Sequence, residues 1–449
     1  MYVGTIDTYL QVLITSFYRA EKRPYDSDKD SHFGLKSHNQ LIYSFCKYGS
    51  KANNMAMIRN TPSFIVVVSL LLHFTLDTVV SFSATTPLSP APLKSPATGL
   101  ENQYYDWKCG QRIRYQESGV ENDGPAILLI HGLFVNSDHW RHALRQLPLE
   151  GYRVYAIDLF GNGYSSKPTS LSEETRQQVC GEVRRFGDSD AFKKDTILGT
   201  AGGGIRKGVD VDLRHPTRSP YNFYTWADLI SDFTRDIIQS KTKSDDKEKV
   251  TLVSNSIGTI SALQSMLDYE ELYNGLFVVN PNFRELHSAE VPLAKWSMPV
   301  IQKVQALLRE NGKPLFDSLA TPSTVKQILK EPYAVSEAVD DELVDVLLTP
   351  LLTDGSSNVV FETLSYSAGP LPEQQLADLK KTQLPVWVCY GSDDPWTPPK
   401  RVDALPTVTN GAVEKVISLK GIGHCPHDEA PELVQPLLLE FLERLKNES

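Results

Sequence analysis

From residue 101 onward, short apolar runs alternate with longer amphipathic stretches. The runs Ile113–Gln116, Ala126–Ile130, Arg153–Ile157, Val250–Val253, Leu276–Val279, Val386–Tyr390 and Val413–Leu419 have the length and residue types of strands. Most are almost continuously apolar, as strands buried on both faces must be. They predict an α/β fold, with a mostly parallel central sheet and helices on both sides. The alternation breaks twice. Residues 169–220 contain Ala201-Gly202-Gly203-Gly204, many charges and no clear period, and read as a surface insertion. Residues 281–382 read as helical, with apolar-periodic stretches Val300–Leu308 and Leu343–Leu351 punctuated by Pro292, Pro299, Pro314 and Pro322. A helical block between two strands is expected to form a cap over the sheet's carboxyl edge, leaving 101–280 and 383–449 as the core.

The first hundred residues follow a different pattern. Residues 64–76, thirteen in all, form the strongest apolar run, short of the ~20 needed to cross a bilayer but long enough for a signal-peptide core. Arg59 precedes it, Met55 and Met57 offer starts, and small residues around Ser81 offer a cleavage site; a buried helix or strand is the alternative. The following stretch, from Phe82-Ser83-Ala84 to Glu101, is rich in Ser, Thr, Pro and Ala and poor in acids, a composition unsuited to building a core. With Val80-Ser81-Phe82-Ser83-Ala84 at its junction, it resembles the bipartite presequence of algae whose plastids lie behind a membrane derived from the endoplasmic reticulum. Residues 57–100 are therefore expected to be a signal and plastid-targeting presequence, and 1–56 an upstream extension with translation starting at Met57. A chloroplast location reached through that route is implied, the secretory pathway being the alternative.

Charge narrows the partners. The 449 residues carry 55 acidic and 45 basic side chains, a net charge of -10, which lacks the basic footprint of a nucleic-acid binder. Residues 82–449 hold 37 basic and 49 acidic residues, so the mature body is more acidic still. Cys46, Cys109, Cys180, Cys389 and Cys425 are odd in number and without metal-type spacing, and read as free thiols rather than a disulfide framework. No metal or organic cofactor is expected.

The candidate chemistry begins at Val250-Thr251-Leu252-Val253-Ser254-Asn255-Ser256-Ile257-Gly258, a buried strand that turns into an apolar helix starting near Thr259. Small residues around Ser256 permit the tight, strained turn of a nucleophile elbow, with Ser254 where glycine is more usual; an ordinary serine N-cap is the alternative. Downstream, Gly391-Ser392-Asp393-Asp394-Pro395-Trp396-Thr397-Pro398 places a carboxylate after a strand, and Gly421-Ile422-Gly423-His424-Cys425-Pro426-His427 places an imidazole after the last one. The Gly-x-x-Asp-x-x-x-Pro spacing favours Asp394 over Asp393. Glycines beside His424 favour it over His427, which leads into a helix start. Upstream, Ile130-His131-Gly132-Leu133 ends a strand in a His-Gly turn, so the amides of Leu133 and Ile257 are candidate oxyanion donors, with His131 a structural residue of that loop.

In that order, these four segments resemble the α/β-hydrolase superfamily over residues 105–445. His139-Trp140-Arg141, Asp158-Leu159-Phe160-Gly161-Asn162-Gly163-Tyr164-Ser165-Ser166-Lys167-Pro168 and Asp394-Pro395-Trp396 are similar to its epoxide-hydrolase and dehalogenase branch. That branch uses a carboxylate nucleophile where Ser256 stands, so acyl transfer replaces an alkyl-enzyme route. Trp107-Lys108, Arg112-Ile113-Arg114-Tyr115-Gln116, Ala320-Thr321-Pro322, Tyr366-Ser367-Ala368-Gly369-Pro370-Leu371-Pro372-Glu373 and Gly423–Glu432 resemble chloroplast serine hydrolases of plants of the chlorophyll dephytylase and pheophytinase type. The resemblance implies an esterase that cleaves the phytyl ester of chlorophyll or a derivative, a hydrophobic ester, with peripheral thylakoid contact; a monomer is expected. A plastid lipid or acyl esterase, and a non-catalytic small-molecule receptor on the same fold, are the alternatives. The insertion, Ser254 and Asn280-Pro281-Asn282 depart from the plant pattern.

Overall fold

The computed structural model describes residues 91–447 except 169–170, 181–196, 200–204, 208–214, 216, 242–247, 285–286 and 288–293. The presequence features upstream of residue 91, and Cys46, lie outside the described residues. Ten strands run in chain order: β1 Gln103–Trp107, β2 Gln111–Ser118, β3 Ala126–Ile130, β4 Arg153–Ile157, β5 Ile197–Gly199, β6 Ile205–Lys207, β7 Val250–Ser256, β8 Tyr273–Pro281, β9 Val386–Gly391 and β10 Val413–Leu419. Eight form one sheet in the order β1-β2-β4-β3-β7-β8-β9-β10, and β5 pairs with β6 as a separate hairpin. Pairing is antiparallel between β1 and β2 and between β2 and β4, and parallel from β4 to β10. All parallel strands therefore end on one edge, where side chains from separate connections can converge.

Alternation along each strand divides the core. Leu128, Ile130, Leu252, Leu276, Val278 and Val388 face helices Phe223–Phe233 and Gly258–Asp268 through Phe233, Ile260, Leu263 and Met266. Ile127, Leu129, Val253, Phe277, Val279 and Cys389 face the opposite way, toward Leu144, Phe441 and Leu442 of helices Arg141–Gln146 and Pro431–Lys446. Each fully buried Leu, Ile or Val contributes about 1.5–3 kcal/mol. Helix Phe223–Phe233 starts where it does because the Asn222 side chain accepts hydrogen bonds from the backbone N–H groups of Tyr224 and Thr225, replacing partners missing at a helix start.

Three boundaries drawn from the sequence move. Residues 91–100 belong to the fold: Ala97 is buried, and Ser95 donates to Asp138 at 2.5 Å. A few small buried side chains need no apolar run, so composition gave no sign of them. Part of the segment 169–220 is packed rather than superficial. It contains helix Glu173–Val179, with Val179 and Cys180 buried, and buried His215 and Ser219 near its end. The helical block between β8 and β9 also divides. Helices Ala294–Asn311, Lys313–Leu319, Pro322–Leu329, Asp341–Leu351 and Ser356–Leu364 precede Pro372–Leu379, which instead lies on the core, Gln375 donating to the Ile260 carbonyl at 3.0 Å. Pro299 sits inside its helix rather than ending it, whereas Pro314 and Pro322 open theirs.

Candidate active site

β7 carries its burial to the last residue, and there the chain reverses sharply into helix Gly258–Asp268. Ser256 occupies the turn at φ +54°, a left-handed conformation that costs a non-glycine residue free energy and is held by the surrounding packing. Close approach of neighbouring backbone explains the small residues. A Cβ on Gly258 would lie 2.5 Å from the His131 carbonyl oxygen, and one on Gly132 would lie 3.2 Å from the Ser256 Cβ. The loop after β3 thus passes directly beside Ser256, bringing Leu133 and Ile257 to the same end of the sheet. Ser254 is accommodated because its buried hydroxyl lies 3.0 Å from Thr259 Oγ1, so the extra polar group has a partner.

Asp394 follows β9 and His424 follows β10. With its proton on Nδ1, His424 donates to Asp394 Oδ2 at 2.6 Å; Asn280 Nδ2 donates to the same oxygen at 2.5 Å, and the Trp396 N–H donates to Oδ1 at 2.7 Å. Burial opposes charge on Asp394. The His424 side chain, with hydrogen bonds from His424, Thr397 and the Trp396 backbone, nevertheless holds its carboxyl below the usual range. The carboxylate is therefore ionised and turned toward the imidazole. Asp393 points away, exposed and bonded to Ser392. His427 also stands apart, 3.3 Å from His139 and packed on Trp140.

The two loops are locked backbone to backbone. His424 N–H donates to the Pro332 carbonyl at 2.7 Å, tying the histidine loop to the cap. Asn255, next to Ser256, donates to the carbonyls of Val279 at 3.1 Å and His424 at 3.3 Å. Sequence reasoning missed Asn255, Thr397 and the role of Asn280; only the Asn280-Pro281-Asn282 departure hinted at the last. His131 is buried, its Nδ1 2.7 Å from the Gly132 carbonyl and its Nε2 accepting from the Leu159 N–H at 2.9 Å, so it braces the turn and has no ring nitrogen left for Ser256.

Beneath the site, Arg114 is buried with Asp138 and Asp158, donating to Ser137 at 2.6 Å and to Asp158 at 3.2 Å. This network joins β2 to the loops after β3 and β4. Burial works against ionisation of Asp158, but Arg114 and bonds from Ser137 hold its carboxyl below the usual range. Between the loop after β3 and the cap lies a narrow cleft lined by Phe134, Val135, Asn136, Asn162, Leu347 and Val359. No group of three or more His, Cys, Asp or Glu side chains among the described residues is arranged to hold a metal ion.

Residues 127–435 match the model of the alpha/beta hydrolase family. The chain belongs to that family. Among curated proteins this hydrolase is 25% identical over 368 residues to pheophytinase, chloroplastic, of Arabidopsis thaliana, covering 78% of this chain and 68% of that one. It is 29% identical over 143 residues to bifunctional epoxide hydrolase 2 of Mus musculus, spanning 31% of this chain and only 25% of the relative. Among solved structures, haloalkane dehalogenase DbeA from Bradyrhizobium elkani superposes with a TM-score of 0.51 at 16% identity, covering 78% of this hydrolase and all of that chain. That likeness shows the fold. The observed eight-stranded sheet agrees with it.

Proposed function

We propose that this hydrolase cleaves a hydrophobic carboxylic ester through an acyl-enzyme on Ser256. The observation that carries the reading is the buried His424–Asp394 pair, 2.6 Å apart, on the sheet edge where Ser256 stands in its left-handed turn. His424 takes the Ser256 proton on Nε2 as the oxygen attacks the ester carbonyl; Asp394 keeps the tautomer and stabilises the imidazolium. The carbonyl oxygen gains negative charge, which the amides of Leu133 and Ile257 receive, the latter at the positive end of helix Gly258–Asp268. The proton passes to the leaving alcohol. Water, deprotonated by His424, then attacks the acyl carbon, and the proton returns to Ser256 as the acid leaves.

The pheophytinase relative supports the phytyl ester of chlorophyll or a magnesium-free derivative as substrate. That relative's chloroplast location supports delivery to a plastid, with residues upstream of 91 as the address. No described helix is long and apolar enough to cross a membrane. Thylakoid contact, in this reading, is peripheral and uses exposed Val300 and Leu352 of the cap region. Incubation with chlorophyll, pheophytin and a galactolipid tests the substrate: phytol release from the pigments supports it, fatty-acid release alone moves the reading to a lipid esterase, and tight binding without turnover moves it to a receptor.

A further inference from the structure

Asn280 closes β8 at φ +46°, left-handed backbone that asparagine tolerates better than most residues. Its side chain is fully buried and reaches the carboxylate of Asp394 and the backbone of both flanking loops. Nδ2 donates to Asp394 Oδ2 at 2.5 Å and reaches the Gly423 carbonyl at 3.4 Å, while Oδ1 accepts from the Gly391 N–H at 3.2 Å. One amide therefore links the end of β9, the carboxylate that follows it and the loop carrying His424. Its neighbour Pro281 pairs in register with Ser256, across a local shift in the β7–β8 pairing. Thr397 adds a parallel tie, its hydroxyl donating to the Pro281 carbonyl at 3.3 Å.

We propose that Asn280 is a positioning residue that sets the orientation and basicity of the Asp394–His424 pair. It competes with His424 for one carboxylate oxygen, so it fixes which oxygen faces the imidazole and draws part of that oxygen's charge. The inference rests on the proposed catalytic role of His424, but its geometry does not. An amide suits the place because it offers a donor to the carboxylate and an acceptor to Gly391 at once. An aspartate there would keep the shape and the acceptor but bring a second carboxyl against Asp394, where like charge keeps one of the two protonated. A carboxylate relieved of its extra donor holds a proton on the imidazole more strongly.

The test follows His424 itself. Its titration by NMR on histidine-labelled protein, assigned with His424→Gln, is compared among the wild type, Asn280→Asp and Asn280→Gly. Other titratable groups whose fields reach the pair are His139 after β3 and Cys425, His427 and Glu429 in the histidine loop, and no variant alters them. The expected result is an upward move of the His424 titration by about one unit in Asn280→Gly, and a smaller upward move in Asn280→Asp, where the two carboxyls share one proton. Glycine removes the side chain yet suits the left-handed backbone, so it separates positioning from strain. The acid limb of ester hydrolysis should move with the NMR value. A His424 titration unchanged in both folded variants overturns the proposal. An inactive wild type with the NMR shifts intact overturns the esterase reading and leaves the positioning role standing.

Discussion

Asn255 donates its side-chain amide to the backbone carbonyl of His424 across 3.3 Å. The residue beside the candidate nucleophile thus grips the residue proposed as its base, although the two are separated by 169 positions. The same amide reaches the Val279 carbonyl of the adjoining strand. Asn255→Ala leaves both buried acceptors without this donor, which should cost about 1–3 kcal/mol in urea unfolding. It should also slow ester hydrolysis by loosening the histidine loop. Unchanged stability and rate would show that the loop is held by other contacts.

The adjacent aspartates provide an internal control. Asp394→Asn keeps the shape but removes the charge facing His424, and an amide can pair with the other ring tautomer. Ester hydrolysis should fall about 10⁴-fold, with little loss of fold. Asp393→Asn alters an exposed side chain bonded only locally to Ser392 and should stay within twofold. Equal losses in the two variants would remove the basis for choosing Asp394.

Arg114 compensates two buried carboxylates, Asp138 and Asp158. Arg114→Met preserves much of the volume and leaves both negative groups without their cation, for an expected loss of about 3–5 kcal/mol in chemical denaturation. Its first kinetic consequence should be in the loops after β3 and β4 rather than at His424. A stability within about 0.5 kcal/mol of wild type would indicate that the carboxylates are already protonated or solvated.

Buried histidines set the acid sensitivity. Burial, aided by Arg141 and neighbouring histidines, pushes His139 down to about 3, and burial pushes His215 down to about 3. In the unfolded chain both titrate near 6.5. Their folded values are depressed, so the unfolded state binds more protons between those limits. Stability is fully present above about pH 6.5 and is lost as pH falls toward 3, with a limiting slope of about 1.4 kcal/mol per pH unit for each histidine. Unfolding free energies from pH 7.5 to 4.5 should show this, and His139→Gln should reduce the slope. A flat profile would mean that these rings are protonated in the folded protein.

What was legible in the sequence follows from burial. Strands such as Ala126–Ile130 and Arg153–Ile157 are enclosed on both faces, and their apolar runs announced them with the observed bounds. The edge strand β1 went unread because Gln103–Trp107 is only partly covered, with buried Tyr105 and Trp107 set among polar residues. The placement of Ser256, Asp394 and His424 at strand ends was legible because tight turns there demand small neighbours at fixed spacing. Asn280 and Asn255 were not, because an asparagine spanning two backbone segments leaves no local pattern. The packing of Ser95 and Ala97 against distant Asp138 and Arg145 was hidden for the same reason.

The central claim is that Ser256 is the nucleophile of an ester hydrolase, and reaction with a fluorophosphonate followed by peptide mapping tests it most directly. The account predicts one phosphonyl group per chain on Ser256, none in Ser256→Ala, and greatly slowed labelling in His424→Ala. A folded wild-type protein that remains unlabelled, or carries the label elsewhere, would contradict it.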